Sequence, residues 1–215
     1  LPKQYMTSAV INSIVAKNSD SYGNFDLERI PEEYRTSEVC ECAVSKSVRN
    51  IVHVPVTLRS NTMLQHIVGY SLKSNLHLLP LVPVECWDTQ AAYQGVNTLS
   101  RSETSYNKGR YHSVSSVDYK SIQMFLSYVP KKIKTGKFYR SLFGISDLSV
   151  QNLEFLIPDR HKQGDYFLRV ARKNFAHVPV EKYTYPIFME ALGKGGKTTF
   201  WELERNEEKR DKLFE

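Results

Sequence analysis

Three cysteines and six histidines are the residues that could bind a metal or act as nucleophile and base. Cys40 and Cys42 stand two apart, which on a helix turns them about 200° away from each other. Together with Cys86 they fall short of the four ligands of a structural zinc site. An odd count without a secretory context reads as reduced thiols packed as small apolar residues. Among the histidines, His53 and His177 share one position in the pattern set out below, whereas His66, His77, His112 and His161 are scattered. No pair has the i, i+4 spacing around an acid that a metalloprotease needs, and no serine sits in a nucleophile-elbow context. The segment Gly193 to Thr198 contains Gly-Lys-Thr, which in a phosphate-binding loop would cradle an anion with backbone N–H groups. Here Ala191 takes the place of that motif's first glycine, the preceding residues scan as helix, and little chain follows to supply an acid for magnesium. A basic loop is the expectation there. No catalytic residue, metal or cofactor is expected.

Charge offers more. The formal excess is +6 and the isoelectric point about 9.1. Residues 1–90 carry eight Lys/Arg against nine Asp/Glu, net −1, and residues 91–215 carry twenty-one against fourteen, net +7. The densest basic run is Lys131, Lys132, Lys134, Lys137 and Arg140, followed downstream by Arg169, Arg172 and Lys173. Just ahead of it, residues 97–116 are rich in Ser, Asn and Thr and carry Arg101, Tyr106, Lys108, Arg110 and Tyr111. A cation cluster interleaved with tyrosines can meet phosphates and bases, or an acidic protein face. Because no recognised nucleic-acid-binding motif is present, a protein is the expected partner and nucleic acid the second.

The elements that must position these residues are announced by proline. Seven of the nine prolines align: Pro2, Pro31, Pro55, Pro83, Pro130, Pro158 and Pro179. Ile or Val usually precedes them. Five residues on stand Thr7, Thr36, Ser60, Asp88, Thr135, Gln163 and Thr184, nearly all helix N-capping types. Eight and nine, then twelve and thirteen residues on, apolar pairs recur at helical spacing, as in Val39 and Cys40 followed by Ala43 and Val44. This register predicts burial of Val39, Ala43, Met63, Ile67, Phe138, Leu142, Phe167 and Val170. Asn24, Asn50, Asn75, Asn152 and Asn174 precede the prolines by five to eight residues, where a left-handed residue could close a helix. Apolar residues three or four apart then suggest a short second helix before each Ile/Val-Pro corner.

The spacing Leu-x-x-Ile-Pro, then Thr-x-x-Val-Cys-x-x-Ala-Val, in Leu27 to Val44 resembles a family of short Pro/Cys helical repeats of unknown function. Those repeats occur in multi-copy proteins of intracellular bacteria and large viruses. The resemblance implies a helical array used for contacts, and it supplies no catalytic residue. In the other copies here the proline, cap and apolar positions persist while the Cys does not.

Successive prolines lie 29, 24, 28, 47, 28 and 21 residues apart, so one interval is about twenty too long. The excess falls at about 97–116, expected as an inserted loop. A charged helix is expected at about 199–215. A unit this small cannot bury its apolar face alone, so neighbours must stack. The expected fold is therefore all-α, a solenoid-like stack of about seven short degenerate repeats forming one domain over 1–215. With 41% hydrophobic and 24% charged residues the chain has the composition of a globular protein. No apolar run reaches the roughly 20 residues of a membrane span, and the first residues lack a secretory pattern. The expectation is a non-catalytic interaction or assembly module, cytoplasmic or within a host cell or virion. Binding of nucleic acid or an anionic surface through the basic second half is the alternative.

Overall fold

The computed structural model describes residues 7, 9–11, 13, 26–69, 72–100, 104–107, 110–113, 119–145 and 148–193. The fold is all-α, with one short hairpin among the described residues. From residue 26 onward the described α-helices are α1 Ser37–Lys46, α2 Asn61–Gly69, α3 Leu72–Asn75, α4 Thr89–Ser100, α5 Tyr119–Tyr128, α6 Gly136–Ser141, α7 Val150–Leu156, α8 Tyr166–Lys173 and α9 at 185–193. Short 3-10 turns lie between α1 and α2, between α3 and α4, and between successive helices from α6 onward. The chain divides into two compact units, Leu1–Ser115 with Lys120–Ile133, and Ser116–Tyr119 with Lys134–Glu215.

Pro2 lies outside the described residues, and the corners at Pro31, Pro55, Pro83, Pro158 and Pro179 are built the same way. Ile30, Val54, Val82, Ile157 and Val178 are held extended, as the following proline requires, and all are buried. The prolines Pro31, Pro55, Pro83, Pro158 and Pro179 take φ between −62° and −53° and ψ between 137° and 147°. Each proline carbonyl accepts from the N–H three residues on: Tyr34 at 3.0 Å, Leu58 at 2.9 Å, Cys86 at 3.0 Å, His161 at 2.8 Å and Lys182 at 3.0 Å. Pro130 does the same with Ile133 at 3.0 Å. Proline serves here because its φ is preset and it has no N–H to leave unpaired.

Helices then start at the expected caps. The side chains of Thr7, Thr36, Ser60, Asp88 and Thr135 accept from the backbone N–H three residues ahead, with Asp88 closest at 2.7 Å to Ala91 N. Gln163 does not cap. The chain instead turns through Gly164, at φ +60°, into Asp165 ahead of α8. Positions eight and twelve after proline are buried in all six described repeats from Pro31 onward, for instance Met63 and Ile67, or Phe138 and Leu142. Phe167, at position nine, is only half-buried, contrary to the prediction. Tyr166 takes the buried place at position eight, and Phe167 lies under the Lys182 ammonium, 5.9 Å from its ring centre.

Asn24 lies outside the described residues, and Asn75, Asn152 and Asn174 do not close helices in the left-handed region. Asn75 has φ −111° and Asn174 φ −162°, and Asn152 lies inside α7. Helices α1, α7 and α8 end on extended residues that lead straight into the next turn, so no left-handed step is required. Asn50 does something else. It is buried in the turn Val48–His53, where its amide donates to Ala43 O at 2.9 Å and its carbonyl accepts from Leu27 N at 2.9 Å. One side chain thus satisfies backbone groups from two repeats. The expected second helix is a 3-10 turn at Leu27–Arg29, Val48–His53, Leu76–Leu81 and Phe175–His177, and α-helix in α5 and α7.

Within the first unit, α1 packs on α2 and α2 on α4, while the turns Leu27–Arg29, Val48–His53 and Leu76–Leu81 pack in succession. The Phe125 ring of α5 covers Gly95 of α4 so closely that a Cβ there would lie 2.4 Å from the ring. The second unit buries Phe138, Leu142, Leu153, Tyr166, Val170 and Phe175.

Candidate functional site

After Pro31 and Pro55 the fourth residue connects its repeat to the next. Arg35 Nε donates to Ile30 O at 2.8 Å in its own corner, and its Nη1 donates to His53 O at 2.8 Å in the next. Arg59 repeats this one unit along, from Nε to Val54 O at 3.1 Å and from Nη1 to Leu81 O. In each case the second carbonyl belongs to the residue two before the next proline. The equivalent residue after Pro83 is Trp87, whose ring meets Phe125 at 6.0 Å between centroids and carries the stack on to α5. A planar guanidinium with forked donors suits a slot that must reach two carbonyls at once.

This use of cations changes the meaning of the basic run. Lys134 occupies the same slot after Pro130 and is already engaged within the chain. Arg140 lies 3.6 Å from Asp165, whose other carboxylate oxygen accepts from Arg169 Nε at 2.8 Å. Arg172 Nε donates to Glu190 at 2.6 Å, and that contact raises the pKa of the guanidinium. Lys173 donates to Ile145 O at 2.7 Å and Leu148 O at 2.9 Å. Lys131, Lys132 and Lys137 are exposed. Lys131 and Lys132 belong to the first unit, and Lys134, Lys137 and Arg140 to the second.

Of the expected insertion, residues 97–100 complete α4, and β1 Thr104–Asn107 pairs antiparallel with β2 Arg110–Ser113. The register sets Tyr106 opposite Tyr111 and Asn107 opposite Arg110. Arg101 and Lys108 lie outside the described residues, as does the charged segment expected at 199–215. Gly193 is the last described residue of α9, and the glycine-rich stretch beyond it lies outside the described residues.

The cysteines are free thiols, Cys40 buried, Cys42 and Cys86 half-buried. Burial pushes the Cys40 and Cys86 thiols up, Arg35 opposing it at Cys40 and Glu85 adding to it at Cys86, and Cys86 Sγ donates to Arg59 O at 3.1 Å. A raised pKa works against nucleophilic use. His53 and His177 both sit half-buried on the turn before a proline, His53 4.0 Å from Glu28 and His177 3.3 Å from Gln151. Asp26, Glu28 and His53 bring donor atoms within 4.8 Å of one another, a grouping hidden in the sequence because Asp26 and His53 come from different repeats. Asp26 already accepts from Glu28 N at 3.1 Å and lies 3.6 Å from Arg29, which satisfies its charge locally.

Apolar side chains also stand exposed at the corners. Val52 is 50% exposed, Val56 60% and Val84 52%, and Pro80 is exposed beside them in sequence position. Val56 and Val84 both directly follow a corner proline, while Val52 and Pro80 both stand three before one. The turns carrying Val52 and Pro80 pack together, and Arg59 joins the two corners. In the second unit Phe155 is 81% exposed at the same position, three before Pro158. Sequence reasoning missed this row because its residues look like core positions. The available signal was their place immediately beside prolines whose buried neighbour is the Ile or Val at the preceding position.

No described helix is long and apolar enough to cross a membrane. No family model, curated protein or solved structure matches this chain.

Proposed function

We propose that the chain is a non-catalytic interaction module, a solenoid-like helical-repeat scaffold whose proline corners form its contact surface. The observation that carries this is the recurrence of exposed apolar residues, Val52, Val56, Pro80 and Val84, at equivalent positions of two packed repeats. Recurrent exposure of that kind lowers solubility unless a partner covers it, and apolar patches with charged rims are the usual core of protein interfaces. Internal engagement of Arg35, Arg59, Arg169, Arg172 and Lys173 also reduces the cations available to a polyanion. Affinity capture with the full chain tests the reading. One stoichiometric protein retained by the wild type and by Lys137→Glu, and lost with Val56→Asp/Val84→Asp, is the expected outcome. Unchanged capture by the Asp variant removes the corners from the function.

Exposure of Lys131, Lys132 and Lys137 favours a second reading, contact with nucleic acid or an anionic surface. That reading requires retention of mixed-sequence nucleic acid with a steep salt dependence that flattens in Lys131→Glu/Lys132→Glu.

A further inference from the structure

We infer that the corner row of the first unit is self-complementary and pairs two copies of this chain antiparallel. The inference rests on the corners being the contact surface and adds the identity of one partner. The first two residues after each corner proline form a series along the stack: Glu32 and Glu33, then Val56 and Thr57, then Val84 and Glu85, then Lys131 and Lys132. All eight are exposed, and all lie in the first unit. Their order in space follows the links between repeats: Arg35 reaches His53 O, Arg59 reaches Leu81 O, and Trp87 meets Phe125 ahead of Pro130. Packed helices lie about 8–10 Å apart, so three steps span roughly 25–30 Å. One end of this row is acidic, its middle sets Val56 and Val84 beside Thr57 and Glu85, and its far end is basic.

A row of that kind complements itself when a second copy runs the opposite way about a two-fold axis. Glu32 and Glu33 then face the partner's Lys131 and Lys132, and Val56 faces the partner's Val84. The row three residues before the prolines fits the same pairing, because Val52 would face the partner's Pro80 and Glu28 the partner's Ser127. No like charges are opposed. The parallel alternative would set Glu32 against Glu32 and Lys131 against Lys131, which is why the antiparallel form is favoured. Complementary ends set orientation, and Val56 and Val84 supply the desolvated contact.

Sedimentation equilibrium of the full chain over roughly 1 µM to 1 mM reads the result directly. The wild type should pass from monomer to dimer in that range, and added salt should weaken the dimer. Glu32→Lys/Glu33→Lys and Lys131→Glu/Lys132→Glu should each weaken self-association at least tenfold, since each leaves only like charges opposed. An equimolar mixture of the two variants should recover a heterodimer, because every facing pair is then opposite in charge. Three results overturn the inference: a wild type monomeric throughout the range, a dimer indifferent to salt and to both variants, or a mixture that fails to associate. A monomeric wild type that still captures a different protein through Val56 and Val84 would retain the interaction reading and reject only this partner.

Discussion

Replacing Arg59 by Met keeps most of its stem and removes its donors, which isolates what the guanidinium does. Two carbonyls lose their partner: Val54 O at 3.1 Å within the same corner, and Leu81 O in the next. Hydrogen bonds from charged donors are worth about 1.5–3 kcal/mol each, and a buried acceptor left alone costs about 1–3 kcal/mol. Arg59 is half-buried, and burial lowers its pKa, so the methionine also relieves some desolvation. Discounted for that relief and for partial exposure, the loss should be about 2–4 kcal/mol. That is a large part of a typical folding free energy of roughly 5–15 kcal/mol. Urea unfolding followed by far-UV circular dichroism measures it. Arg49→Ala, at an exposed position, serves as control and should change stability by less than about 0.5 kcal/mol. Because the two carbonyls belong to consecutive repeats, Arg59→Met should also broaden the transition. If Arg59→Met unfolds at the same urea concentration as the wild type, the corner-to-corner bonds contribute nothing and the staple account is wrong.

Leu142 is fully buried, so Leu142→Ala should cost about 2–5 kcal/mol in the same assay, and a negligible loss would refute the eight-and-twelve packing pattern. Gly95→Ala should destabilise by about 1–3 kcal/mol despite alanine's better helix propensity, because the Phe125 ring occupies the space a methyl needs; a stabilised variant would mean that the ring moves aside freely. Tyr166 is buried, and its hydroxyl has no hydrogen-bond partner among the described residues. Tyr166→Phe should therefore leave stability unchanged or raise it by about 1 kcal/mol at pH 7. Burial first, then the carboxylates of Glu154 and Asp159, push the Tyr166 pKa up to about 12 from 10.0. With the folded value above the unfolded one, its contribution is intact below about pH 10 and is lost as pH rises toward 12. Thermal unfolding across that window should decline more steeply for the wild type than for Tyr166→Phe, and equal slopes would contradict the shift.

The corners, the caps and the buried helical pairs were legible in the sequence because each is a local matter. Proline fixes its own φ and restrains the residue before it, Thr, Ser and Asp cap the helix that follows, and apolar spacing declares a helix face. Pro31, Thr36, Val39 and Ala43 therefore have their places without reference to any other repeat. Charge was legible only as a total. Lys173 read as part of a basic surface, yet its ammonium ends on a carbonyl 28 residues away, and Arg35 and Arg59 reach carbonyls 18 and 22 residues away, distances that only stacking closes. Asn50 looked like a helix terminator for the same reason, since Leu27 N, which it receives, lies 23 residues earlier. Val56 and Val84 show the converse: apolar by type, they face outward because the corner geometry spends its buried position on the Val preceding the proline. Local backbone preference thus determines where each repeat turns. Which polar groups are used up inside, and which apolar ones are left outside, is decided when one repeat packs against the next and supplies the partners that no single repeat contains.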